Sequence, residues 1–371
     1  SSSSPFFSTL YPKHLEDMRV KRRRQDTIIE VEGTYKDIIE LIGDKPISEY
    51  TNVHGRNYRE KISKLPKNRN KVKRYKDKSL KHILSMTIPE KDRMSLVTQK
   101  KLSSRMVTLW NFLIDEYPEH IGVNVFKKKS QSRSQIKLKD KKPHFTDDDL
   151  LIIFNHRTYL TYIFDNIYHK NNKLSYYFIP ILGCFTGCRL EELCMMRVKD
   201  IIKVDDIWVY RIREEGEYGN EETLVKNSYS ERDIPLHSVL VDTLGFIKYV
   251  NHIKKLGKER VFYELPKISN KYQHYLGKFF NTRYLKKIGL KDDGRKVSFH
   301  SFRHSVETHL TNQNVNPRFI DFLQGHSSKD TGGNIYMKGI KPEVLKNECV
   351  EKIDYGIDWE KLKIDWKNFV K

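Results

Sequence analysis

The sequence predicts a mainly α-helical protein with two domains and a small antiparallel β-sheet in the second of them. Three observations lead to this fold class. With 371 residues, the chain exceeds what one ordinary hydrophobic core organises and suits two domains. Apolar residues recur at helical spacing in the first third of the chain, whereas helical and strand patterns alternate after residue 144. A strongly basic stretch separates the two regions.

The N-terminal third divides into two parts. Residues 1–30 form a basic segment whose apolar residues show no regular spacing, and residues 31–126 form an all-helical domain. The basic segment is expected to be irregular, and its cluster at residues 21–24 can contact phosphates or remain solvated. The clearest helix is predicted over 97–117. Its apolar positions are four, three and four residues apart, as on one face of a helix: Leu102, Met106, Leu109 and Leu113.

A polar stretch, residues 127–143, is expected to link the two domains. Eight of residues 127–142 are basic and one is acidic, and a chain of this composition repels itself and does not fold alone. Basic runs of this kind often bind nucleic acid, so its charge suggests that it lies along DNA. The candidate DNA-binding side chains therefore come from this linker: Lys127, Lys128, Lys129, Arg133, Lys137 and Lys139.

The second domain, residues 144–345, is predicted to combine helices with strands. Thr146 is followed by three aspartates, which suit the positive end of a helix that Thr146 would cap. Residues 206–213 read as a strand because β-branched and aromatic residues dominate them, and residues 231–236 read as another. Together these patterns predict an α+β domain.

The C-terminal tail, residues 346–371, contains many large apolar side chains for the end of a chain. Leu362, Ile364 and Trp366 alternate with charged residues, which favours a short strand, although the tail as a whole also fits an amphipathic helix. Two placements remain open. The apolar side chains either pack onto their own domain or, if they are exposed, are exchanged between protomers.

Composition favours a polyanionic partner. The formal net charge is +21, an excess that costs stability through repulsion and is typical of nucleic-acid-binding proteins. A basic protein that is merely soluble is the alternative. The cysteines at 184, 188 and 194 suggest buried free thiols in the cytoplasm. No second Cys or His pair lies at zinc-finger spacing, so no metal is expected. No long apolar run predicts a membrane span. No cofactor is expected either.

Six side chains in a fixed order make the chain a candidate for chemistry on a phosphodiester without metal. Attack on phosphorus builds negative charge on the non-bridging oxygens, and the planar guanidinium of arginine donates paired hydrogen bonds to such oxygens. Histidine and lysine can transfer protons, and a tyrosine becomes a nucleophile in a cationic pocket or beside a base. Each residue alone would more often be structural. The six candidates are Arg189, Lys226, His300, Arg303, His326 and Tyr336.

The segments around these residues resemble the signature of the tyrosine recombinases, the phage integrase family. The resemblance covers residues 145–345 and extends more loosely to the N-terminal helices, which resemble the family's core-binding domain. Gln324 departs from the pattern, because leucine is commoner there. The matching segments have the family's order and spacing: Thr186-Gly-Cys-Arg189-Leu-Glu-Glu192-Leu, Leu-Val-Lys226-Asn-Ser with Arg232-Asp-Ile-Pro-Leu, His300-Ser-Phe-Arg303-His, Gln324-Gly-His326-Ser-Ser and Ile335-Tyr336.

The resemblance implies a site-specific recombinase or integrase that cuts and rejoins DNA through a 3′-phosphotyrosyl intermediate, in the service of a mobile element or phage. The implied roles are nucleophile for Tyr336, general acid for Lys226, phosphate binding for Arg189 and Arg303, assistance to proton transfer for His300 and His326, and orientation of the site for Glu192, by pairing with a basic partner.

The implied partners are specific recombination sites on double-stranded DNA, further copies of the chain in a tetramer across two sites, and accessory DNA-bending or directionality proteins. The implied location is the cytoplasm, in association with the nucleoid, for a protein that a bacterium or a phage encodes. Three alternatives remain: a type IB topoisomerase that nicks and religates DNA, a non-catalytic DNA-binding protein of the same fold, and a metal-dependent nuclease. The last is disfavoured because no acidic cluster is apparent.

Overall fold

The chain forms two compact units, Ser1–Ile136 and Lys137–Lys371, each with its own hydrophobic core; each unit is described by itself. The division falls within the predicted linker. Within the described residues, no helix is long and apolar enough to cross a bilayer. The computed structural model describes residues 3–23, 25–127, 143–160, 173–213, 231–292, 294–326 and 340–369.

The regular elements described in unit 1 are helices, as predicted. The helix expected over 97–117 is confirmed as Leu96–Glu116, and Ser95 caps it by accepting a hydrogen bond from the amide of Thr98 at 3.2 Å. Its inward face meets the other helices around Trp110, which is fully buried. The helices are α1 (Phe7–Val20), α2 (Gln25–Ile42), α3 (Asn52–Lys64), α4 (Leu80–Ser85) and α5 (Leu96–Glu116).

The prediction of an irregular segment over residues 1–30 is wrong, because α1 and the start of α2 occupy most of it. Phe7 and Leu10 are buried, and the Phe7 ring stacks on Trp110 with 6.4 Å between ring centroids. Pro12 lies inside α1 and obscured the helical pattern. A proline within a helix costs about 3 kcal/mol, whereas burial of two large apolar side chains contributes about 3–6 kcal/mol, so the helix persists.

Unit 2 combines helices with one small sheet. Its first helix begins as predicted: the Thr146 hydroxyl accepts from the Asp149 amide at 3.2 Å, and the Asp149 carboxylate accepts from the Thr146 amide at 3.0 Å. The elements are α6 (Asp147–Asn155), α7 (Arg157–Leu160), α8 (Lys173–Thr186), α9 (Leu190–Cys194), β1 (Ile201–Val204), β2 (Ile207–Ile212), β3 (Arg232–Pro235), α10 (Phe246–Lys255), α11 (His274–Lys278), α12 (Leu285–Lys287), α13 (Ser301–Asn312), α14 (Pro317–Gln324) and α15 (Pro342–Glu348).

The sheet is antiparallel with the strand order β1-β2-β3, which confirms the predicted fold class. Strands β2 and β3 lie within the two predicted ranges, and Tyr210 of β2 pairs with Ile234 of β3. Strand β1 was missed. It joins β2 through a turn in which Asp205 and Asp206 have φ of 45° and 64°; aspartate tolerates this left-handed conformation, which two-residue hairpins require.

The C-terminal tail packs within unit 2 in this chain, and its exchange between protomers stays a prediction. Trp359 and Leu362 are buried in the core of the unit, and the carbonyl oxygen of Leu362 accepts a hydrogen bond from the Tyr177 hydroxyl at 2.5 Å. Short 3-10 turns, Trp359–Leu362 and Trp366–Phe369, replace the predicted strand or helix. The boundary predicted at residue 345 therefore cuts through one hydrophobic core.

The cysteines are buried free thiols, as predicted. Burial raises the thiol pKa of Cys188 to about 11, so this thiol stays protonated and unreactive at neutral pH. Within the described ranges, no three His, Cys, Asp or Glu side chains come together as a group that could hold a metal ion.

Candidate active site

The turn between α8 and α9 places Arg189 at the surface. Helix α8 ends at Thr186, and Gly187 then takes a left-handed conformation with φ of 60°, which glycine adopts without the strain of a side chain. Arg189 follows as the N-cap residue of α9. Its side chain is 33% exposed, so the guanidinium can still reach a ligand.

The carboxylate of Glu192 binds two arginines. Its Oε1 accepts from Nη1 of Arg189 at 2.6 Å, and its Oε2 accepts from the Arg189 amide and from Nη2 of Arg232, both at 2.9 Å. Burial opposes ionisation of this carboxyl, but the charges of Arg232 and Arg189 outweigh burial and lower its pKa to about 2. Glu192 is therefore an anion at neutral pH; its orienting role stays a prediction.

Arg303, near the start of α13, is held by carbonyl oxygens. Its Nη1 donates to the oxygen of Gly187 at 3.0 Å, and its Nη2 donates to the oxygen of Gln324. The side chain is 2% exposed. Burial, with the charges of Arg189 and Arg232, lowers its pKa to about 10. The guanidinium thus stays charged at pH 7, although the described residues place no carboxylate in hydrogen-bond contact with it.

His300 precedes α13 as its N-cap residue. A spacing of three residues places two side chains on one face of a helix, but α13 begins one residue after His300, so His300 lies outside the helix that carries Arg303. The imidazole is exposed and meets the ring of His304 edge to face, with 5.0 Å between centroids. His300 thus lies at the rim of the site, while Arg303 is buried.

His326 follows the left-handed turn that ends α14. Gly325 forms this turn with φ of 61°. The Nδ1 atom of His326 lies 3.5 Å from Oδ1 of Asp321. Partial burial and the charge of Arg303 lower the imidazole pKa, against the opposing charges of Asp321 and Glu307. The neutral ring, which can donate or accept a proton, is therefore favoured at pH 7.

Several predicted site residues lie outside the described residues, and their roles stay predictions. Lys226 and Tyr336 are among them. Lys127 of the linker is described and exposed. The linker candidates outside the described residues are Lys128, Lys129, Arg133, Lys137 and Lys139.

Two residues in the site had no role from the sequence. Arg232 pairs with Glu192, and Gln324, which stands out in the sequence only as a departure, is fully buried and donates from Nε2 to the carbonyl oxygen of Arg303 at 2.7 Å. One signal could have found Arg232. In a strand, residues two apart share a face, so Arg232 lies on the face of the apolar Ile234.

The arrangement suits an anion. Arg303 and Arg189 lie close enough for the charge of Arg189 to lower the pKa of Arg303. In the described part of the chain, Glu192 forms ion pairs with Arg189 and Arg232 but not with Arg303. Three guanidinium groups thus lie near one another, and one of them, Arg189, is partly exposed. A phosphodiester beside them could accept hydrogen bonds from a guanidinium, with the neutral imidazole of His326 nearby for proton transfer.

Glu192→Gln is expected to lower the free energy of unfolding at pH 7 by about 3 kcal/mol, because Arg232 would remain buried without its carboxylate. The sign of the pH dependence follows from the lowered folded-state pKa. The stabilisation by the Glu192 carboxylate is complete above the ordinary value of 4.5 and is lost as pH falls toward about 2. Urea unfolding measured from pH 7 to pH 3 should therefore show that the difference in the free energy of unfolding between wild type and Glu192→Gln narrows as pH falls.

Glu191→Gln is the matched control for this prediction. Glu191 accepts from the amides of Tyr272 and Gln273, both at 2.9 Å, and burial raises its pKa. The contribution of Glu191 to the free energy of unfolding therefore changes with pH in the opposite direction. The difference in this free energy between wild type and Glu191→Gln should not narrow as pH falls. A Glu192→Gln difference that is independent of pH would contradict the assignment of the ion pair.

Residues 159–341 match the sequence profile of the phage integrase family. A tyrosine recombinase of Pseudothermotoga lettingae is 26% identical over 187 residues, which are 50% of this chain and 56% of the relative. The aligned part thus spans little more than half of that relative's length.

Two solved structures share the fold. A lambda integrase tetramer bound to a Holliday junction has a TM-score of 0.54 at 19% identity, over 89% of this chain and 80% of that one. The Tn1549 transposon integrase in complex with transposon right end DNA has a TM-score of 0.56 at 16% identity, over 91% and 96%. At these identities the similarity establishes a common architecture.

Proposed function

The chain belongs to the phage integrase family of tyrosine recombinases through residues 159–341, and on that premise we propose that it is a site-specific recombinase that cuts and rejoins DNA through a 3′-phosphotyrosyl bond to Tyr336. The observation that carries the proposal is the arginine cluster. Arg189 and Arg303 bring two positive charges to one place, and of the two it is Arg189 that forms an ion pair with Glu192 among the described residues. A scissile phosphate is the anion that this chemistry fits.

In the proposed first step, the phenolic oxygen of Tyr336 attacks phosphorus, the bond from phosphorus to the 5′-oxygen breaks, and the 5′-oxygen takes a proton from Lys226. Arg189 and Arg303 stabilise the negative charge that develops on the non-bridging oxygens. The phosphotyrosyl bond conserves the energy of the broken linkage. Attack by a 5′-hydroxyl therefore rejoins a strand without a nucleotide.

Proton transfer at the phosphate is assigned to His300 and His326. His326 is suited to it because its lowered pKa leaves the ring neutral at pH 7, so it can accept the phenolic proton or donate to a phosphate oxygen. Glu192 remains an anion and holds Arg189 in place. None of these steps needs a metal ion or a cofactor.

The charge of unit 1 supports binding to the DNA backbone. Residues 67–78, between α3 and α4, contain seven Lys or Arg and one Asp. This turn is fixed by Tyr75, which is buried and donates a hydrogen bond to Asp92 at 2.9 Å. The lysines on it are exposed. With the basic linker, they would contact phosphates, and the affinity for DNA would fall steeply as salt rises.

The proposed assembly is a tetramer of this chain across two specific DNA sites. The lambda integrase tetramer on a Holliday junction supports that assembly, and the Tn1549 transposon integrase supports a role in moving a mobile element. Accessory proteins that bend DNA or set the direction of the reaction remain a prediction.

A covalent capture experiment tests the proposed function. The full chain is incubated with a library of random-sequence duplexes in EDTA, and complexes that survive boiling in detergent are recovered and sequenced. The expected result is a covalent adduct, formed without metal and enriched for one core sequence. Plasmids that carry two copies of the recovered site should then recombine.

The alternatives give different results in the same experiment. A type IB topoisomerase would form adducts without a strong sequence preference and would relax supercoiled plasmids. A metal-dependent nuclease would cut only when EDTA is omitted. DNA binding without any adduct would contradict catalysis and favour a non-catalytic protein of this fold.

A further inference from the structure

We propose that Arg232 is a positioning residue for DNA cleavage, which fixes Arg189 through Glu192 and also fixes the turn that carries His326. The inference rests on the proposed function. It concerns a buried residue whose Nη2 and Nε atoms bond acceptors within the protein, so the role that we assign to Arg232 acts through these neighbours and not through a contact with the phosphate.

The first contact of Arg232 orients Arg189. Arg232 is the first residue of β3, and its Nη2 donates to Oε2 of Glu192 at 2.9 Å and lies 3.8 Å from Sγ of Cys188. The other oxygen of Glu192 is thereby turned toward Nη1 of Arg189, at 2.6 Å. The carboxylate cannot rotate without losing one of the two arginines.

The second contact of Arg232 supports the turn before His326. Its Nε donates to the carbonyl oxygen of Leu323, in the last turn of α14, at 2.9 Å. A Cβ atom at Gly325 would lie 2.7 Å from Nη1 and 3.1 Å from Cζ of Arg232. The guanidinium therefore packs directly against the backbone of the left-handed turn. Arg189 and His326 are thus positioned by the same planar group.

Energetics favour a positioning role over a purely stabilising one. Removing an arginine and a glutamate from water costs several kcal/mol each, and apolar side chains of similar volume stabilise such sites as well or better. An arginine supplies what apolar groups lack, a rigid fork that bonds two acceptors at fixed angles. Here the two acceptors belong to the elements that carry Arg189 and His326.

The test compares Arg232→Met with the control Arg211→Met. Arg211 lies in the same sheet and also pairs with a carboxylate, because it bonds Asp233 at 2.9 and 2.7 Å. When Arg211 is removed, Asp233 keeps Arg213 as a partner. Both variants are assayed for DNA affinity, melting temperature and single-turnover covalent cleavage. The substrate is a nicked duplex of the captured sequence, in which the broken strand cannot be rejoined.

Arg232→Met is expected to bind this duplex within about twofold of wild type, but to cleave about 10²-fold more slowly, the usual effect of displacing catalytic groups by about 1 Å. Arg211→Met should cleave within about threefold of wild type. Loss of Arg232 also raises the pKa of Glu192, since Arg232 is the strongest of the charges that lower it. The cleavage rate of Arg232→Met should therefore decline as pH falls toward 5, because Glu192 then takes up a proton. In wild type Glu192 stays ionised at pH 5, so its rate should not decline for this reason.

Two results would overturn the inference. One is cleavage by Arg232→Met at the wild-type rate with the wild-type pH profile. The other is a slower rate matched by an equal loss in Arg211→Met, which would make the effect general to the sheet. If Arg232→Met does not fold, Arg232→Lys decides, because it keeps the charge beside Glu192 but loses the fork; a wild-type rate in that variant contradicts the inference. Failure of wild type to form any adduct would instead overturn the proposed function.

Discussion

Arg303→Lys is expected to slow covalent cleavage of DNA by about 10³-fold while DNA affinity changes little. The loss of one preorganised donor to a developing oxyanion typically costs about 10²- to 10³-fold in rate. Lysine also lacks the planar fork with which Arg303 bonds the carbonyl oxygens of Gly187 and Gln324 at fixed angles. Most of the affinity for DNA comes from many other phosphate contacts, so binding should survive. Gel-shift titration and single-turnover cleavage measure the two effects separately.

Arg295→Lys is the matched control for this prediction. Arg295 also belongs to unit 2, and it pairs with Asp149 at 2.8 Å, at the first turn of α6 rather than at the site. Its replacement should leave the cleavage rate within about threefold of wild type. Equal rates for Arg303→Lys and Arg295→Lys would contradict the assignment of Arg303 to the scissile phosphate.

Local patterns predicted those parts of the fold that depend on neighbouring residues. The cap at Thr146 and the strand Ile207–Ile212 follow from spacing over fewer than ten residues, and both are present. Helix α1 was missed because Pro12 breaks the local pattern, and contacts with distant residues such as Trp110 stabilise the helix. The tail shows the same limit: Leu362 bonds Tyr177 across 185 residues, a distance that no local pattern spans.

The candidate site was predictable in part for the same reason. The structure places Arg189 close enough to Arg303, and Arg303 close enough to His326, for their charges to interact, while their roles stay predictions. Arg232 is one of 69 Lys and Arg residues, and its importance depends on partners 40 and 91 residues away, Glu192 and Leu323. Charge alone could not distinguish it from a solvated arginine.

Tyr336→Phe is expected to abolish covalent adduct formation completely. The substitution removes one oxygen and little volume, so folding and DNA affinity should be nearly unchanged. Phenylalanine has no atom able to attack phosphorus, so the variant lacks the nucleophile of the proposed step. Detergent-resistant adducts on the nicked duplex, formed in EDTA, provide the measurement.

Tyr355→Phe is the control, and the structure strengthens it. Tyr355 is buried in the core of unit 2 and its hydroxyl donates to the carbonyl oxygen of Cys184 at 3.1 Å. Burial raises the pKa of this phenol well above its ordinary value, which is the opposite of what a nucleophile needs. Tyr355→Phe should therefore form adducts at the wild-type rate.

Mass spectrometry of the trapped peptide tests the central claim most directly. Wild-type protein is trapped on the nicked duplex in EDTA, digested with a protease and a nuclease, and fragmented to locate the nucleotide. The account predicts a single nucleotide bonded through its 3′-phosphate to Tyr336. A nucleotide on any other residue would contradict the site, and an adduct that forms only when a divalent metal is present would contradict the mechanism.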